Sequence, residues 1–348
     1  MSKNAREQAV LGAVRERREK VNEAIDEELP LKRPERLYEA SRYLLEAGGK
    51  RLRPAVLLLT AEALADVPPG STDYREFPDL TGDTVDVMSA AVSIEVIQSF
   101  TLIHDDIMDD DDLRRGVPAV HREYDTETAI LAGDTLYSKA FEIMLRTGAP
   151  AERGMRAMRT LAETCTHICE GQALDVDFET RTDVVPDEYM EMVELKTAVL
   201  YAAAASIPAL LLGADDDTVE ALYNYGLKAG QAFQIHDDVL DLTVPSEQLG
   251  KQRGSDLVEN KKTVVTLHAS EHGVDVENLL ATDDPAEVTD EEIERAVDEL
   301  RDAGSIEYAR DLADDLVDEA QAHLDVLPDN EASRRLAQVA DYLVERGY

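Results

Sequence analysis

Residues Phe233 to Leu242 read FQIHDDVLDL, and they repeat a phrase that first occurs in IHDDIMDDDDLRRG, residues Ile103 to Gly116. In both places an apolar segment runs directly into aspartates, in the order Ile-His-Asp-Asp-x-x-Asp. On a helix, side chains at positions i and i+4 share one face, and the side chain at i+1 lies beside them. The two phrases therefore predict two helices that each carry an acidic triad, namely Asp105, Asp106 and Asp109, and Asp237, Asp238 and Asp241.

The rest of the chain has the same helical character. The breaks between helical segments contain glycine and proline, but none resembles a flexible interdomain linker. Apart from the repeated phrase, the chain has no internal repeat. The pattern predicts an all-α fold, with one domain of long, mostly antiparallel helices over residues 1–348. Apolar residues recur at i, i+3, i+4 and i+7 in segments at roughly 35–47, 52–66, 84–108, 127–146, 152–178, 187–204, 217–241, 258–270, 290–302, 305–325 and 331–346.

The composition excludes several classes of partner. The 348 residues are 44% hydrophobic, which allows a substantial core, and their formal net charge is −39. A protein with this mean field repels nucleic acid and anionic membrane surfaces, so we expect neither as a partner. The acids lie between apolar residues at helical spacing, which is typical of solvated helix faces. A halophilic cytoplasm would explain them, because in molar salt the Debye length is only about 3 Å.

Location and redox state can also be predicted. The sequence shows no signal peptide and no apolar run of about 18 residues, so we expect a cytoplasmic protein without stable membrane insertion. Cys165 and Cys169 lie one helical turn apart in ETCTHICEG. A zinc site needs about four ligands, and His167 points away from both cysteines on a helix. We therefore expect two buried, reduced thiols.

The chemistry of the two triads favours magnesium. Compact carboxylate oxygens suit Mg²⁺, a hard cation that keeps several waters and often bridges to phosphate. Neither phrase has the Asp-x-Asp-x-Asp-Gly pattern of an EF-hand calcium loop. The alternative is that the aspartates are solvated helix faces. For Asp110, Asp111 and Asp112, solvation explains the sequence as well as metal binding does. For the triads solvation is the weaker explanation, because each triad follows an apolar segment and so lies at the rim of a buried region.

Basic residues occur near the triads and at breaks between helices. Arginine forks and lysine point charges are the usual ligands of phosphate. Any one of these residues could instead form a surface ion pair worth under about 1 kcal/mol. Together they indicate a phosphorylated substrate, held partly through metal and partly by direct cationic contacts. The residues are Lys50, Arg51 and Arg53 in GGKRLRP, Arg114 and Arg115 in LRRG, Lys196 in ELKTAVLY, and Lys251, Lys261 and Lys262 in GKQRGSDLVENKKT.

These motifs, in this order from Gly48 to Thr263, resemble those of the trans-isoprenyl diphosphate synthases, the head-to-tail prenyltransferases. The resemblance implies an all-α bundle around a central cavity and a homodimer. It implies condensation of isopentenyl diphosphate with an allylic diphosphate, which can be dimethylallyl, geranyl or farnesyl diphosphate. It also implies three Mg²⁺ ions, two held by the first triad and one by the second.

The resemblance further assigns roles to individual residues. Asp105, Asp106, Asp109, Asp237 and Asp238 would bind the metal ions, and Asp241 completes the second motif. Arg114, Lys196, Lys251 and Lys261 would help to hold the allylic diphosphate. Gly49, Lys50, Arg53, Gln98 and Arg115 would hold isopentenyl diphosphate, and Thr197 and Gln234 would line the reacting centre. The sequence departs from the family at Gln98, where many relatives have histidine, and at Asn260, where glycine is common.

Phe100 and Thr101 bear on product length. Phe100 lies five positions before Asp105, which is about 7.5 Å along a helix; ordinary core packing is the alternative to a role as the floor of the cavity. An aromatic residue there, followed by a small one, resembles archaeal geranylgeranyl diphosphate synthases. The expected product is therefore C20 geranylgeranyl diphosphate, for isoprenoid ether lipids, with farnesyl diphosphate as intermediate or co-product.

Several alternatives stay open at this point. The enzyme could be a farnesyl or a C25 farnesylgeranyl diphosphate synthase, or the chain could be a non-catalytic subunit of a heteromeric synthase. A non-catalytic subunit would be expected to lose one triad or its arginines, and neither is lost. A terpene cyclase or a squalene-synthase-like enzyme fits less well, because HDDVLD and GGKRLRP are both intact.

Overall fold

A computed structural model describes residues 3–245, 253–282 and 288–345, and this part of the chain is predominantly helical, which confirms the predicted all-α fold. The helices are α1 (Lys3–Glu28), α2 (Glu35–Glu46), α3 (Leu52–Ala65), α4 (Val87–Met108), α5 (Val120–Glu123), α6 (Thr126–Met144), α7 (Ala151–Phe178), α8 (Pro186–Val193), α9 (Val199–Leu212), α10 (Asp216–Thr243), α11 (Ser255–Val258), α12 (Val264–Glu271), α13 (Asp290–Asp302), α14 (Ser305–Ala322) and α15 (Glu331–Glu345).

Short elements complete the described chain. A π-helix, Glu194–Ala198, joins α8 to α9, and 3₁₀ turns cover Val276–Asn278 and His323–Val326. Two antiparallel hairpins have strands of two residues each. They pair β1 (Phe77–Pro78) with β2 (Thr84–Val85), and β3 (Leu113–Arg114) with β4 (Val117–Pro118).

The sequence pattern predicts no helix before residue 35, whereas α1 occupies most of that segment. The apolar stripe of α1 is narrow, and a charged residue interrupts it. Val14 and Val21 are buried, and between them Arg17 is only 1% exposed. Arg17 forms a buried ion pair with Glu62 of α3. A core helix that buries an arginine in this way escapes a search for apolar periodicity.

Two other segments differ from the predicted pattern in extent. The helix predicted at 187–204 continues through the π-helix and α9 to Leu212, although Pro208 lies inside α9. The helix predicted at 258–270 begins only at Val264, as α12, and residues 259–263 form a break between α11 and α12. Within that break Asn260 has a left-handed φ of 54°. The NKKT motif therefore lies largely on a loop.

The contacts within the chain divide it into two compact units, so a single domain over residues 1–348 stays a prediction. The first unit comprises Met1–Cys165, Leu200–Tyr223 and Leu324–Val339. Its centre is α4, which packs along α6 and against α3. Ile94 and Ile97 of α4 are completely buried. This packing fixes the helix at whose end the first triad lies.

The second unit comprises Thr166–Val199, Asn224–His323 and Ala340–Tyr348. In this unit α12 packs against α14 and α8. Val265 of α12 and Ala309 of α14 are completely buried. The second unit carries the second triad, near the C-terminal end of α10.

Two stretches of helix, Val87–Met108 and Pro186–Leu212, are long and apolar enough to cross a membrane. Residues 197–214 contain no charged side chain, so the expectation that no apolar run reaches about 18 residues is wrong. Their apolar windows are, however, 72% and 83% buried inside the protein. Core helices of soluble proteins have the same properties, so the two stretches are weak evidence for a membrane span.

The two cysteines differ in exposure. Cys165 is buried, but Cys169 is exposed, so the expectation of two buried thiols is wrong for Cys169. The buried stripe of α7 runs through Leu161, Cys165 and Ile168. Cys169 lies one position past this stripe and therefore faces outward.

Candidate active site

The first triad lies where α4 ends. Asp105 and Asp106 are in the last turn of the helix, and Asp109 is its C-terminal capping residue. Asp105 and Asp109 are partly exposed, whereas Asp106 is completely buried. The three aspartates are thus on one helix end, but they differ in their access to solvent.

Asp106 is held by Arg114. Nε of Arg114 donates to Oδ1 of Asp106 at 2.6 Å, and Nη2 donates to Oδ2 of Asp111 at 2.8 Å. The β3–β4 hairpin returns Arg114 to the helix end, because its two turn residues, Arg115 and Gly116, have positive φ values of 55° and 79°. Burial raises the pKa of Asp106 to about 6, although Arg114 acts in the opposite direction. Oδ2 of Asp106 is buried and has no hydrogen-bond partner among the described residues.

The other acids of this segment lie at the surface. Arg122 pairs with Asp110 at 2.8 Å and with Asp112 at 2.9 Å, and both aspartate side chains are 82% exposed. Solvation and a surface ion pair account for these two residues. Asp111 differs from them, because it shares Arg114 with the triad.

The second triad lies near the C-terminal end of α10, and it too has one buried central carboxylate. Asp237 is partly exposed, whereas Asp238 is 6% exposed. The phenol of Tyr189 on α8 donates to Oδ2 of Asp238, and Nε2 of Gln234 donates to Oδ1 at 3.0 Å. Burial and the nearby charge of Asp256 raise the pKa of Asp238 above its ordinary value, and the two hydrogen bonds oppose that rise.

Asp241 anchors the segment that follows α10. Oγ of Ser255 donates to Oδ1 of Asp241 at 2.8 Å, and the backbone N–H of Asp256 donates to Oδ2 at 3.2 Å. Asp241 is 1% exposed. Sequence reasoning missed Tyr189, Ser255 and Asp256, because no local pattern signals a partner that lies 49 residues away, as Tyr189 does from Asp238.

The donors of each triad, taken separately, fit magnesium in their chemistry. The partly exposed Asp105, Asp109 and Asp237 offer carboxylate oxygens, and Asp106 has an unused buried acceptor. Within the described ranges, no three His, Cys, Asp or Glu side chains form a metal site by themselves. Mg²⁺ usually keeps several waters and takes further ligands from substrate phosphates, so carboxylates need to supply only part of its shell. The metal-binding roles of the triads stay predictions.

A glycine turn before α3 approaches Arg115. Gly48 and Gly49 have φ values of 100° and 136°, which favour glycine. A β-carbon at Gly49 would lie only 3.0 Å from Cζ of Arg115. Lys50, the next residue, is exposed. The structure therefore brings Gly49 and Arg115, which are distant in sequence, into direct contact.

Two further residues predicted to hold isopentenyl diphosphate belong to the same unit. Arg53 lies in the first turn of α3, and its guanidinium covers the ring of Tyr201 at 4.2 Å from the ring centroid. Gln98 is half-buried on α4. Their roles in substrate binding stay predictions.

In the second unit the π-helix carries Lys196 and Thr197. Nζ of Lys196 donates to Oδ2 of Asp175 at 2.5 Å, and Oγ1 of Thr197 donates to Oε1 of Gln234 at 3.0 Å. π-Helices are rare and are frequent at functional sites. The structure thus brings Thr197 and Gln234 together, and their roles at the reacting centre stay predictions.

Of the remaining predicted lysines, Lys261 lies on the loop between α11 and α12. Lys261 pairs with Glu259 at 2.8 Å, next to the left-handed Asn260. Lys251 lies outside the described residues.

Phe100 packs in a row of rings between α4 and α6. Its ring centroid lies 5.1 Å from that of Tyr137, which lies 5.1 Å from that of Phe141. On its other side Phe100 contacts His104 at 4.9 Å. Thr101 is half-buried, and its hydroxyl donates to a carbonyl of its own helix at 2.9 Å. The proposed effect of Phe100 and Thr101 on product length stays a prediction.

Comparison with known proteins identifies the family of this chain. The model of the family described as polyprenyl synthetase matches residues 34–300. A geranylfarnesyl diphosphate synthase of Natronomonas pharaonis is 72% identical over 97% of this chain and 98% of its own length. A geranylgeranyl diphosphate synthase of Methanosarcina mazei is 51% identical over 96% of this chain and 97% of its own.

A solved structure extends the agreement to three dimensions. The geranylgeranyl pyrophosphate synthetase from Geoglobus acetivorans aligns with a TM-score of 0.85 and 44% identity, covering 96% of this chain and 99% of the other. These similarities span nearly the whole length of both chains, and they confirm the predicted family and reaction class. The chain belongs to the polyprenyl synthetase family and is a prenyltransferase.

Proposed function

We propose that this enzyme condenses isopentenyl diphosphate head to tail with dimethylallyl, geranyl and farnesyl diphosphate, and that it releases C20 geranylgeranyl diphosphate for isoprenoid ether lipids. Farnesyl diphosphate is then an intermediate or a co-product. We also propose that it works as a homodimer in the cytoplasm.

The proposed metal and allylic diphosphate site uses the two triads. Polyprenyl synthetases generally use Mg²⁺, and here Asp105, Asp109 and Asp237 are the triad members with access to solvent. Magnesium, when bound, supplies positive charge that stabilises the pyrophosphate leaving group. Arg114 and Lys196 add direct cationic contacts to the same diphosphate.

The remaining groups position the second substrate and protect the reaction. Lys50, Arg53 and Arg115 hold the diphosphate of isopentenyl diphosphate. The allylic C–O bond breaks, the isopentenyl double bond attacks the resulting cation, and the departing pyrophosphate accepts the proton that is lost. No side-chain base is needed. The apolar segments that precede the triads exclude water, which would otherwise capture the cation.

The position and packing of Phe100 are the observation that supports a C20 product. Phe100 lies five residues before Asp105, about 7.5 Å back along α4, and its ring packs against Tyr137. Two adjoining rings are a bulky obstacle for a growing prenyl chain. A C25 product is the second candidate, because the relative that is 72% identical is named a geranylfarnesyl diphosphate synthase.

Chromatography of the products from labelled isopentenyl diphosphate, with each allylic primer in turn, tests this function. A main product of C20 supports the proposal, and a main product of C25 replaces it with the second candidate. No condensation with any primer would refute both.

Phe100→Ala tests the reason for the C20 product. We expect longer products from this variant, because the obstacle is removed. Phe77→Leu changes a buried aromatic residue of the β1 strand in the same unit and should leave the distribution unchanged. An unchanged distribution for Phe100→Ala would show that Phe100 is ordinary core packing.

A further inference from the structure

Glu95 is a buried carboxylate among several arginines, near the glycine turn before α3. It lies on α4, and its side chain is 4% exposed. Nη1 of Arg51 donates to Oε1 of Glu95 at 2.6 Å, and Nη2 of Arg115 lies 3.7 Å from the same oxygen. One carboxylate thus serves two arginines, in a protein whose net charge of −39 makes acids far more numerous than bases.

Arg51 uses its guanidinium to hold the surrounding backbone. Nη2 donates to the carbonyl of Leu45 at 2.6 Å, and Nη1 donates to the carbonyl of Gly48 at 3.2 Å. Nε donates to Oδ1 of Asn22 at 3.0 Å. With the bond to Glu95, these contacts tie the end of α2, the glycine turn and α4 together. Arg51 is therefore a structural arginine, although it stands between two basic residues assigned to substrate.

Arg115 differs from Arg51, because part of its guanidinium is unused. Nη1 donates to the carbonyls of Leu44, at 3.1 Å, and Gly48. Its Nε and Nη2 make no hydrogen bond within the described part of the chain. Burial lowers the pKa of Arg115 below its ordinary value, and Glu95 opposes that effect. The unused donors of Arg115 suit an anion.

The arginines would repel one another without a negative charge between them. Arg51 and Arg53 lie close enough to Arg115 for their positive charges to help lower its pKa. A carboxylate beside a diphosphate site weakens anion binding by direct repulsion, so its presence needs a compensating role. Fixing the turn and the guanidinium orientation supplies that role, because a preformed site loses less freedom when the ligand binds.

We propose that Glu95 is a positioning residue for the diphosphate of isopentenyl diphosphate, acting through Arg51 and Arg115. Through Arg51 it fixes the glycine turn, and through Arg115 it aims N–H donors at the diphosphate. The proposal rests on the function proposed above, since it takes isopentenyl diphosphate as the ligand. Sequence reasoning does not single out Glu95.

Glu95→Gln tests the proposal, because glutamine keeps the shape and an acceptor but removes the charge. We expect the KM for isopentenyl diphosphate to rise about tenfold, with the KM for farnesyl diphosphate unchanged, as when ground-state binding of one substrate is lost. Calorimetry with isopentenyl diphosphate alone should show the same loss of affinity. Glu95→Asp keeps the charge but shortens the side chain by one methylene. Its affinity for isopentenyl diphosphate should lie between those of the wild type and Glu95→Gln.

Glu62→Gln is the matched control. Glu62 is also buried on α3 in the first unit, and it pairs with Arg17 and accepts from Tyr74 at 2.5 Å, outside the proposed site. Both glutamine variants should lose thermal stability, because each leaves an arginine buried without its charge partner. Only Glu95→Gln should lose affinity for isopentenyl diphosphate.

The outcomes separate the two proposals. If Glu95→Gln binds isopentenyl diphosphate as Glu62→Gln does, or if it raises both KM values equally, Glu95 is a structural residue only. Should Glu95→Gln not fold, Glu95→Asp carries the same comparison, and unchanged affinity in that variant overturns the proposal. If the wild type neither binds isopentenyl diphosphate nor condenses it, the proposed function itself fails.

Discussion

Asp79 shows how one buried carboxylate can fasten a loop. It accepts hydrogen bonds from the backbone N–H of Thr81 at 2.8 Å and of Asp83 at 2.9 Å, and from Nη1 of Arg153 at 2.7 Å. Burial alone would raise the pKa of Asp79. These bonds outweigh it, and they hold the pKa well below its ordinary value. The charged carboxylate therefore ties the β1–β2 hairpin to α7.

We predict that Asp79→Asn lowers the free energy of unfolding at neutral pH by about 2–4 kcal/mol, because it leaves Arg153 without its charge partner. The pKa is lower in the folded than in the unfolded chain, so the stabilisation is complete above the unfolded pKa of about 4 and is lost as the pH falls through the folded pKa. Urea unfolding at neutral and at acid pH measures the difference.

Asp83→Asn is the control, because the side chain of Asp83 is exposed and only its backbone contacts Asp79. It should change stability little at any pH. A difference between wild type and Asp79→Asn that stayed constant down to acid pH would contradict the electrostatic explanation.

At the level of single residues, the sequence predicts which acids occur together, but not which of them are buried. The triads look uniform in sequence, yet Asp106 and Asp238 are buried and Asp105 is partly exposed. Helical phase gives the direction of a side chain. Burial depends on segments that lie elsewhere in the chain, such as those carrying Arg114 and Tyr189, so it could not be read from the motif.

Among the elements, the π-helix packs closely against one glycine of α7 and one glycine of α10. A β-carbon at Gly171 of α7 would lie 2.2 Å from the backbone nitrogen of Lys196. One at Gly230 of α10 would lie 2.6 Å from Cα of Ala198. Neither distance is possible for a real side chain without a shift of backbone. The two glycines therefore permit the close approach that places Lys196 and Thr197.

We predict that Gly171→Ala displaces the π-helix and costs about 1–3 kcal/mol of stability, as overpacking usually does. The KM for farnesyl diphosphate should rise more than that for isopentenyl diphosphate, because Lys196 is proposed to hold the allylic diphosphate. Thermal unfolding and steady-state kinetics with each substrate varied measure the two effects.

Gly154→Ala is the matched control on the same helix. A β-carbon there would meet nothing nearer than a backbone oxygen at 3.7 Å, which is an ordinary contact. The substitution should be neutral or stabilising by up to about 1 kcal/mol, since alanine favours the helix over glycine. An equal rise of both KM values in Gly171→Ala would point to general damage rather than to the π-helix.

Apolar periodicity predicts most helices of this protein, including α4 and α10, and its failures have identifiable causes. It misses α1, where Arg17 interrupts the buried stripe. It does not predict the π-helix, because residues 187–204 have the pattern of one uninterrupted helix. It also begins the helix predicted at 258–270 too early, because the left-handed Asn260 in the break before α12 is not a glycine.

Repulsion between the many carboxylates of this protein opposes folding. The whole molecule has 74 acidic and 35 basic residues, so pairing every base with one acid still leaves an excess of 39 acids. Repulsion between exposed carboxylates is screened by salt, since the Debye length falls from about 10 Å at 0.1 M to about 3 Å at 1 M ionic strength. We therefore expect stability to rise with KCl concentration, and a single surface substitution can test the cause.

The exposed face of α14 carries the acids Asp311, Asp315 and Glu319 at intervals of four residues. Like charges at this spacing destabilise a helix, and opposite charges stabilise it, by about 0.2–0.5 kcal/mol per pair. Asp315→Lys replaces a repulsion on each side with an attraction, so it should stabilise the protein by on the order of 1 kcal/mol in low salt. Glu319 already pairs with Lys228 at 2.8 Å, which weakens the gain on that side.

Thermal unfolding of the wild type and Asp315→Lys, at about 0.1 M and about 2 M KCl, separates screening from other effects of salt. The wild type should gain stability with salt, and the advantage of Asp315→Lys should disappear at the higher concentration, because the charges that it relieves are by then screened. Asp315→Asn, which removes the repulsion without adding attraction, should give about half the gain. If the advantage of Asp315→Lys were the same at both concentrations, carboxylate repulsion would not be the reason for the salt dependence.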